Sequence, residues 1–175
     1  MSDLLIPPLG PDDHVEGPAG APLELVMFGD FQCPFCTAAQ PIVRRVRDRL
    51  AGRLRFAFRH FPLEETHPDA RRAAEASEAA AAQAAFWPMH DALYGNRGRL
   101  GLDDVVGLAR RLGLDGDRVR AELADETHAP RVEQDVASGL ASGVDATPTF
   151  FVNGRRHRGA FDAQSLIAAL ESSPR

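Results

Sequence analysis

The order of apolar and alternating segments near the N-terminus is the feature that most restricts the fold of this chain. Residues 23–28 (LELVMF) are almost continuously apolar, which is typical of a strand buried on both faces. A helix is predicted to follow over about 34–50, and alternating polar and apolar residues over 53–60 predict a second strand. A strand, a helix and a strand in this order form a βαβ unit, whose two strands lie parallel.

The pattern becomes helical from about residue 66 to residue 142. Pro and an acid favour a first helical turn, and several such starts occur here. Helices are predicted in four segments: 68–85, a segment capped by Asp103, a segment beginning at Asp117, and 130–142. No strand pattern interrupts these residues, so the sequence predicts an all-helical block.

Strand signals return after this block. Residues 149–152 (TFFV) and 155–158 are separated by Asn153-Gly154, which is a strong signal for a two-residue hairpin turn. Asp162 can cap a last helix. After an extended leader over residues 1–22, the chain therefore reads βαβ, helical block, ββα. The predicted organisation has three parts: residues 15–65, 66–142 and 143–175.

Composition and charge restrict the functions open to the chain. It has 175 residues and a formal net charge of −5, which argues against nucleic acid as a partner because phosphate binding requires clustered lysine and arginine. No secretory signal is visible, and no run of about 18 apolar residues predicts a membrane span. We therefore expect a cytoplasmic protein without a membrane partner. A monomer is expected because no heptad pattern is present.

Cys33 and Cys36 are the only cysteines in the chain. They follow the first predicted strand and begin the predicted helix, where residues three positions apart share a face and can bring two sulfurs together. A helix N-terminus favours negative charge, so it lowers the pKa of the Cys33 thiol and supplies the thiolate that attacks disulfides. Cys36, one turn deeper, is expected to be less exposed and able to resolve the mixed disulfide.

A Cys-x-x-Cys pair can also be half of a zinc site, which usually has four ligands. No other cysteine exists, and His60, His67 and His90 form no two-histidine ligand pattern. Redox chemistry is therefore the favoured interpretation, and metal binding and an inert pair are the alternatives. The prediction includes no metal and no cofactor.

A second feature favours redox chemistry: residues 146–150 (ATPTF) stand immediately before a predicted strand. Proline is tolerated at the first position of a strand, and a cis X–Pro bond would belong at the same place. Such a bond could turn the Thr147 backbone toward the sulfurs and offer hydrogen bonds to an extended peptide. An ordinary trans Pro148 is the alternative.

Together these segments resemble the DsbA-like thiol–disulfide oxidoreductases. The resemblance is carried by residues 28–36 (FGDFQCPFC) and 147–154 (TPTFFVNG), and it extends to 59–63 (RHFPL) and 86–90 (FWPMH) within a span of about 15–170. It implies an α/β chain with a thioredoxin fold, in which an all-helical domain is inserted between βαβ and ββα.

The resemblance also implies roles for single residues. Cys33 would be the nucleophile, Cys36 the resolving thiol, and Pro148 a cis-proline preceded by Thr147. Four residues are predicted to contact substrate: Pro34, Phe35, Thr147 and Pro148. Phe35 is expected to be exposed, because an apolar residue there would dock unfolded substrate.

The chain departs from the family at two places. Met27 stands where thioredoxin and the best-known DsbA proteins carry a buried acid that assists proton transfer at the inner thiol, and Asp30 is the nearest alternative acid. Pro34 and Phe35, between the cysteines, lack the histidine with which those DsbA proteins stabilise the thiolate. We therefore expect a less extreme oxidant.

For three more residues the sequence mainly predicts a structural position. His60, at the end of the second strand, is expected to be structural, and an influence on the site is the alternative. His67 is expected in a surface turn, and a place at the rim of the active face is the alternative. Trp87 is expected to anchor the packing of the domain.

The predicted function is disulfide exchange with protein or small-thiol partners through Cys33 and Cys36, as an oxidase, reductase or isomerase. One alternative is a binding module that holds zinc or peptide. Another is a small-molecule isomerase or transferase of the same superfamily, against which the two retained cysteines argue because one nucleophile would suffice.

Overall fold

The computed structural model describes residues 3–96 and 98–172 as a mixed α/β chain. Five strands are found in these residues: β1 (His14–Glu16), β2 (Leu23–Gly29), β3 (Leu54–His60), β4 (Thr149–Val152) and β5 (Arg155–Arg156). They form one sheet in the order β1-β3-β2-β4-β5. Seven helices are found in the same residues: α1 (Pro34–Arg49), α2 (Ala70–Ala81), α3 (Phe86–Gly95), α4 (Leu102–Arg111), α5 (Gly116–Ala124), α6 (Ala129–Ala141) and α7 (Ala163–Ser172).

These elements belong to two compact units. The sheet unit comprises the described residues of 1–29, 38–59 and 137–175. The helical unit comprises the described residues of 30–37 and 60–136. The first turn of α1 therefore belongs to the helical unit, and the rest of α1 belongs to the sheet unit.

In the sheet unit, β2 lies between β3 and β4 and is buried along its whole length. β2 and β4 are antiparallel, with Leu25 opposite Val152 and Phe28 opposite Thr149. An almost continuously apolar sequence needs apolar neighbours on both faces, which explains why this strand is central. The strands predicted over 23–28, 53–60 and 149–152 are confirmed within a residue at each end.

The extended leader predicted over residues 1–22 is partly wrong, because β1 pairs antiparallel with β3 at the edge of the sheet. The segment before β1 is held by Arg59, whose guanidinium donates to both Asp13 carboxylate oxygens at 2.7 and 2.9 Å and to the Pro7 carbonyl at 3.0 Å. A three-residue strand carries too short a pattern to be recognised in the sequence.

The helical unit packs around small side chains. Ala79, Val106, Ala109 and Val119 are fully buried against one another. Short side chains at such contacts let helix axes lie close together. No helix among residues 3–96 and 98–172 is long and apolar enough to cross a membrane.

The alanine-rich helix is shorter than predicted. It ends at Ala81 rather than near residue 85, because Ala84 takes a positive φ of 59° that no α-helix can continue. A separate helix that the sequence did not resolve, α3, begins at Phe86.

The cap predicted for α4 is wrong by two residues, and α5 begins at Gly116, one residue before the predicted start at Asp117. Gly101, not Asp103, occupies the N-cap position of α4, and Asp104 accepts a hydrogen bond from its N–H. The carboxylate of Asp115 caps α5, because it accepts hydrogen bonds from the backbone N–H groups of Asp117 and Arg118. An N-cap is decided by backbone geometry as well as residue type, and runs such as DGD offer two candidates.

The cap predicted for the last helix is confirmed. The Asp162 carboxylate accepts from the Ser165 N–H at 3.0 Å, and α7 begins at the next residue after Asp162.

Candidate active site

Cys33 lies immediately before the first residue of α1, and Cys36 lies in its first turn. The Cys33 carbonyl accepts a hydrogen bond from the Thr37 N–H at 3.1 Å, so it begins the helical ladder. Pro34 fits the first helical position because its missing N–H needs no partner there. Both cysteines are buried, Cys33 at 3% exposure and Cys36 at 0%.

Asp30 holds the loop that leads to Cys33. One of its carboxylate oxygens accepts from the backbone N–H groups of Gln32 at 2.7 Å and Cys33 at 3.2 Å. The other oxygen accepts from the Leu63 N–H at 2.9 Å. Asp30 is buried, and several charge-assisted hydrogen bonds of this kind stabilise a buried carboxylate. The carboxylate therefore fixes the backbone on the N-terminal side of the reactive pair.

His67 completes this arrangement, since its Nδ1 lies 2.7 Å from the Asp30 Oδ2. The surface turn predicted for His67 is wrong, because only 15% of its side chain is exposed and its ring faces the carboxylate. Asp30 and His67 thus form a hydrogen-bonded pair, and Asp30 also accepts directly from the Cys33 N–H.

Phe31 lies at the centre of an aromatic cluster beneath the same loop. Its ring centroid lies 4.9 Å from that of Tyr94, 5.6 Å from His90 and 6.0 Å from His60. The cluster fixes the loop from its apolar side, while Asp30 fixes it from its polar side. His60 is buried, and its Nε2 lies 2.6 Å from the Glu78 Oε1, which agrees with the structural place predicted for it.

Tyr94, in α3, is the member of the cluster that carries a hydroxyl. Burial raises the pKa of Tyr94 well above its usual value of 10.0, and the negative charges of Cys36, Asp30 and Cys33 raise it further. The phenol therefore stays protonated at physiological pH.

The residues between the two cysteines face solvent. Pro34 is exposed, and Phe35 is 65% exposed, the highest value among the exposed large hydrophobic residues. The exposure predicted for Phe35 is confirmed. An apolar side chain this exposed is a candidate contact for another molecule.

Thr147 and Pro148 belong to the sheet unit. The peptide bond that joins them is cis, and it directly precedes β4. The Thr149 hydroxyl donates to the Ala146 carbonyl at 2.7 Å and fixes this turn. Pro148 also lines a cavity of about 300 Å³, whose other walls include Phe150 and Arg156.

A family model described as thioredoxin matches residues 10–172. The chain belongs to the thioredoxin family. Its fold is similar to that of oxidised BdbD from Bacillus subtilis, with a TM-score of 0.85 and 24% identity over 92% of each chain. A thioredoxin-like oxidoreductase from Silicibacter pomeroyi has a TM-score of 0.80 and 26% identity over 93% of this chain and 92% of that one. These similarities confirm a DsbA-like thioredoxin fold.

Curated relatives of this thioredoxin-family chain carry a different name. A Na⁺/H⁺ antiporter NhaA 1 of Salinispora arenicola is 48% identical over 98% of this chain and 26% of its own length. A Na⁺/H⁺ antiporter NhaA of Herminiimonas arsenicoxydans is 44% identical over 98% of this chain and 27% of its own length. The chain therefore spans about a quarter of the length of these relatives.

Two groups near the cysteines of this thioredoxin-family chain carry no recognisable signal in the sequence. Asp30 is visible as an acid near the cysteines, but its four hydrogen bonds depend on the folded chain. No local pattern distinguishes Tyr94. Met27 is fully buried in β2, so the position of the family's buried acid holds a thioether that neither donates nor accepts a proton. Among the described residues, no histidine, aspartate or glutamate forms a compact ligand cluster with both cysteines.

Proposed function

We propose that this chain is a thiol–disulfide oxidoreductase in which Cys33 attacks a disulfide and Cys36 resolves the product. The observation that carries the proposal is the place of Cys33, directly before the first helical residue of α1, with Cys36 buried one turn on. Unpaired N–H groups and the dipole at such an end favour a thiolate. The thioredoxin family match supports the same reading.

In the proposed reaction, the Cys33 thiolate attacks one sulfur of a substrate disulfide. A bond forms between the two sulfurs, and the other substrate sulfur leaves as a thiolate that takes a proton from water. Cys36 then loses its proton and attacks the Cys33 sulfur, which forms the Cys33–Cys36 disulfide as the second substrate thiolate leaves. The substrate gains two electrons and the cysteine pair loses two; the reverse steps oxidise a dithiol.

Substrate contact is proposed for the exposed residues between the cysteines and for the turn before β4. Phe35 offers an apolar side chain to solvent, and Pro34 lies beside it. Thr147 and Pro148 offer a backbone in the extended direction of β4, which suits hydrogen bonds to a peptide. Both protein and small-thiol partners fit this proposal, and the lack of a thiolate-stabilising histidine between the cysteines favours a couple less oxidising than the best-known DsbA proteins.

Two matched substitutions test the proposal. The Cys33→Ser variant should lose reaction with a small aromatic disulfide, because the attacking sulfur is gone. The Cys36→Ser variant should still react once and should then retain a mixed disulfide, visible as a mass increase that reductant removes. If Cys33→Ser reacts as fast as the unchanged protein, the assignment of the nucleophile is wrong.

The antiporter relatives suggest a protein substrate for such a chain. In them, a segment 48% identical to this chain makes up 26% of a protein named as a Na⁺/H⁺ antiporter. We propose on this ground that the chain can act on a transporter of that class. Membranes that contain the transporter should yield a reductant-sensitive adduct with the Cys36→Ser variant, and adducts with other proteins alone would contradict the proposal.

A further inference from the structure

His67 is the side-chain partner of the buried acid that holds the loop of Cys33. Its Nδ1 lies 2.7 Å from the Asp30 Oδ2. Both residues belong to the helical unit. The Asp30 side chain is 0% exposed, whereas 15% of the His67 side chain is exposed. One half of the pair is therefore buried beside the reactive loop, and the other half reaches solvent.

Asp30 brings a negative charge close to the cysteine that is proposed to attack. One of its carboxylate oxygens lies 3.2 Å from the backbone nitrogen of Cys33. A nearby negative charge disfavours ionisation of a thiol, so this carboxylate opposes the effect of the helix N-terminus on Cys33. The group that holds the loop in place therefore also disfavours the thiolate, unless a cation offsets its charge.

His67 is the group that can supply this cation. In the part of the chain that the structure describes, no arginine pairs with Asp30, and its other donors are neutral backbone N–H groups. Two acids precede His67 in its own turn: Glu64, which pairs with Arg71, and Glu65. Both are exposed, so Asp30 is the buried acid that faces the ring.

The hydrogen bond between the two side chains fixes where the ring can gain its charge. A carboxylate only accepts, so Nδ1 of His67 donates to Asp30, and a second proton on Nε2 makes the ring positive. The pair then has no net charge. A buried carboxylate is disfavoured unless it is paired and hydrogen-bonded in this way.

We propose that His67 acts through Asp30 as a positioning residue for Cys33. The charged ring offsets the Asp30 carboxylate and so increases the fraction of Cys33 that is present as thiolate. The inference deepens the proposed function and rests on it. Pro34 and Phe35, between the cysteines, supply no positive charge of their own, so the charge comes from a distant segment of the same unit.

The rate at which the reduced protein attacks a small aromatic disulfide, followed from about pH 5 to about pH 9, tests the proposal. His67→Asn keeps a side-chain N–H donor near Asp30 but cannot carry a charge. Its rate should fall about fivefold at about pH 6, because less Cys33 is ionised. At about pH 9, where the thiol is largely ionised in both proteins, the two rates should converge. An unchanged rate at the lower pH, or an equal loss at every pH, would overturn the inference.

His128→Asn is the matched control, because His128 is also a half-buried histidine of the helical unit that pairs with an acid. Its Nε2 lies 2.7 Å from the Glu122 Oε2, and 17% of its side chain is exposed. Glu122 is not part of the loop that carries Cys33, so this variant should leave the rate and its pH profile unchanged. The same fall in His128→Asn as in His67→Asn would overturn the inference, because the effect would not be specific to the pair with Asp30.

Asp30→Asn tests whether His67 acts through the acid. Asparagine keeps an oxygen that can accept from the backbone of the loop, but it removes the buried charge. In this background, His67→Asn should change the rate at about pH 6 by less than about twofold. A full fivefold fall in the double variant would overturn the inference, because His67 would then act without Asp30.

An NMR titration of the His67 ring needs no substitution and therefore holds even if the variants fail to fold. Coupling between two sites is reciprocal, so the ring should gain its charge at a higher pH in the reduced protein than in the protein with a Cys33–Cys36 disulfide. Equal titration in the two redox states would overturn the inference while leaving the proposed function standing. Failure of the unchanged protein to react with the disulfide would instead overturn the proposed function.

Discussion

In the sheet unit the buried side chains are mostly apolar, whereas the helical unit buries several acids and histidines among its apolar side chains. Phe28, Phe58 and Phe151 are fully buried in the sheet unit. The helical unit buries Asp30 and His60 among its helices. A dense apolar core supplies stability without chemistry, whereas buried ionisable groups cost free energy unless they are hydrogen-bonded.

The buried polar groups also have different roles in the two units. In the sheet unit, Arg59 joins β3 to the segment before β1 through Asp13. In the helical unit, Asp30 is bonded to the backbone and side chain of the loop that carries Cys33. The buried ion pair of the sheet unit therefore holds two chain segments together. The buried carboxylate of the helical unit instead fixes the loop that carries Cys33. Substitutions in each unit can break or sharpen this contrast.

The largest effect is expected in the sheet unit, for Arg59→Met. It leaves the Asp13 carboxylate buried without its cation, which should lower the free energy of unfolding by about 3 to 5 kcal/mol. Arg53→Met is the control, because the pair of Arg53 with Glu171 is exposed and its loss should cost less than about 1 kcal/mol. Denaturant unfolding measures both changes. Equal losses of the free energy of unfolding in the two variants would show that Arg59 does not hold the segment before β1.

In the helical unit, Asp30→Ala should affect stability and chemistry together. Buried N–H groups of Gln32, Cys33 and Leu63 lose their acceptor, which should cost about 2 to 4 kcal/mol of the free energy of unfolding. Attack by Cys33 on a small disulfide should also slow, whereas Arg59→Met should leave that rate unchanged in the folded fraction. Normal attack in folded Asp30→Ala would remove the contrast between the units.

A smaller effect separates two neighbouring acids at the start of α5. Asp115→Ala removes the side chain that accepts from two backbone N–H groups, so it should cost about 1 kcal/mol of the free energy of unfolding. Asp117→Ala removes only an exposed ion pair with Arg110, so its cost should be smaller. The reverse ranking in thermal unfolding would show that Asp115 does not cap α5.

The smallest effect on stability is expected for Phe35→Ser. Because the side chain is 65% exposed, the free energy of unfolding should stay within about 0.5 kcal/mol of the original. The kcat/KM for an unfolded protein substrate should fall about fivefold, the loss expected from about 1 kcal/mol of apolar contact. The rate with a small aromatic disulfide should not change, and equal losses with both substrates would show that Phe35 does not contact protein.

The strands and the cysteine pair could be predicted because their signals are local. The apolar run of β2 and the Asn153-Gly154 turn each lie within a few residues of sequence. β1 was missed because three partly polar residues form a strand only through pairing with β3. Asp115 and Asp117 are equally good cap residues in isolation, and only the backbone path distinguishes them.

The surroundings of the cysteines could not be predicted, because they depend on contacts between distant residues. Asp30 and His67 are 37 positions apart in the chain, and no periodic pattern connects them. Tyr94 belongs to a helix that the sequence did not separate from its alanine-rich neighbour. Local pattern therefore located the reactive atoms, and tertiary packing decides which groups adjust their reactivity.

The equilibrium reduction potential of the Cys33–Cys36 couple, set against glutathione buffers and read by alkylation mass shift, tests the central claim most directly. The account predicts a single two-electron transition at a potential more negative than about −120 mV, the value of a strongly oxidising DsbA. Failure of the two sulfurs to form a bond anywhere across the buffer range would contradict it.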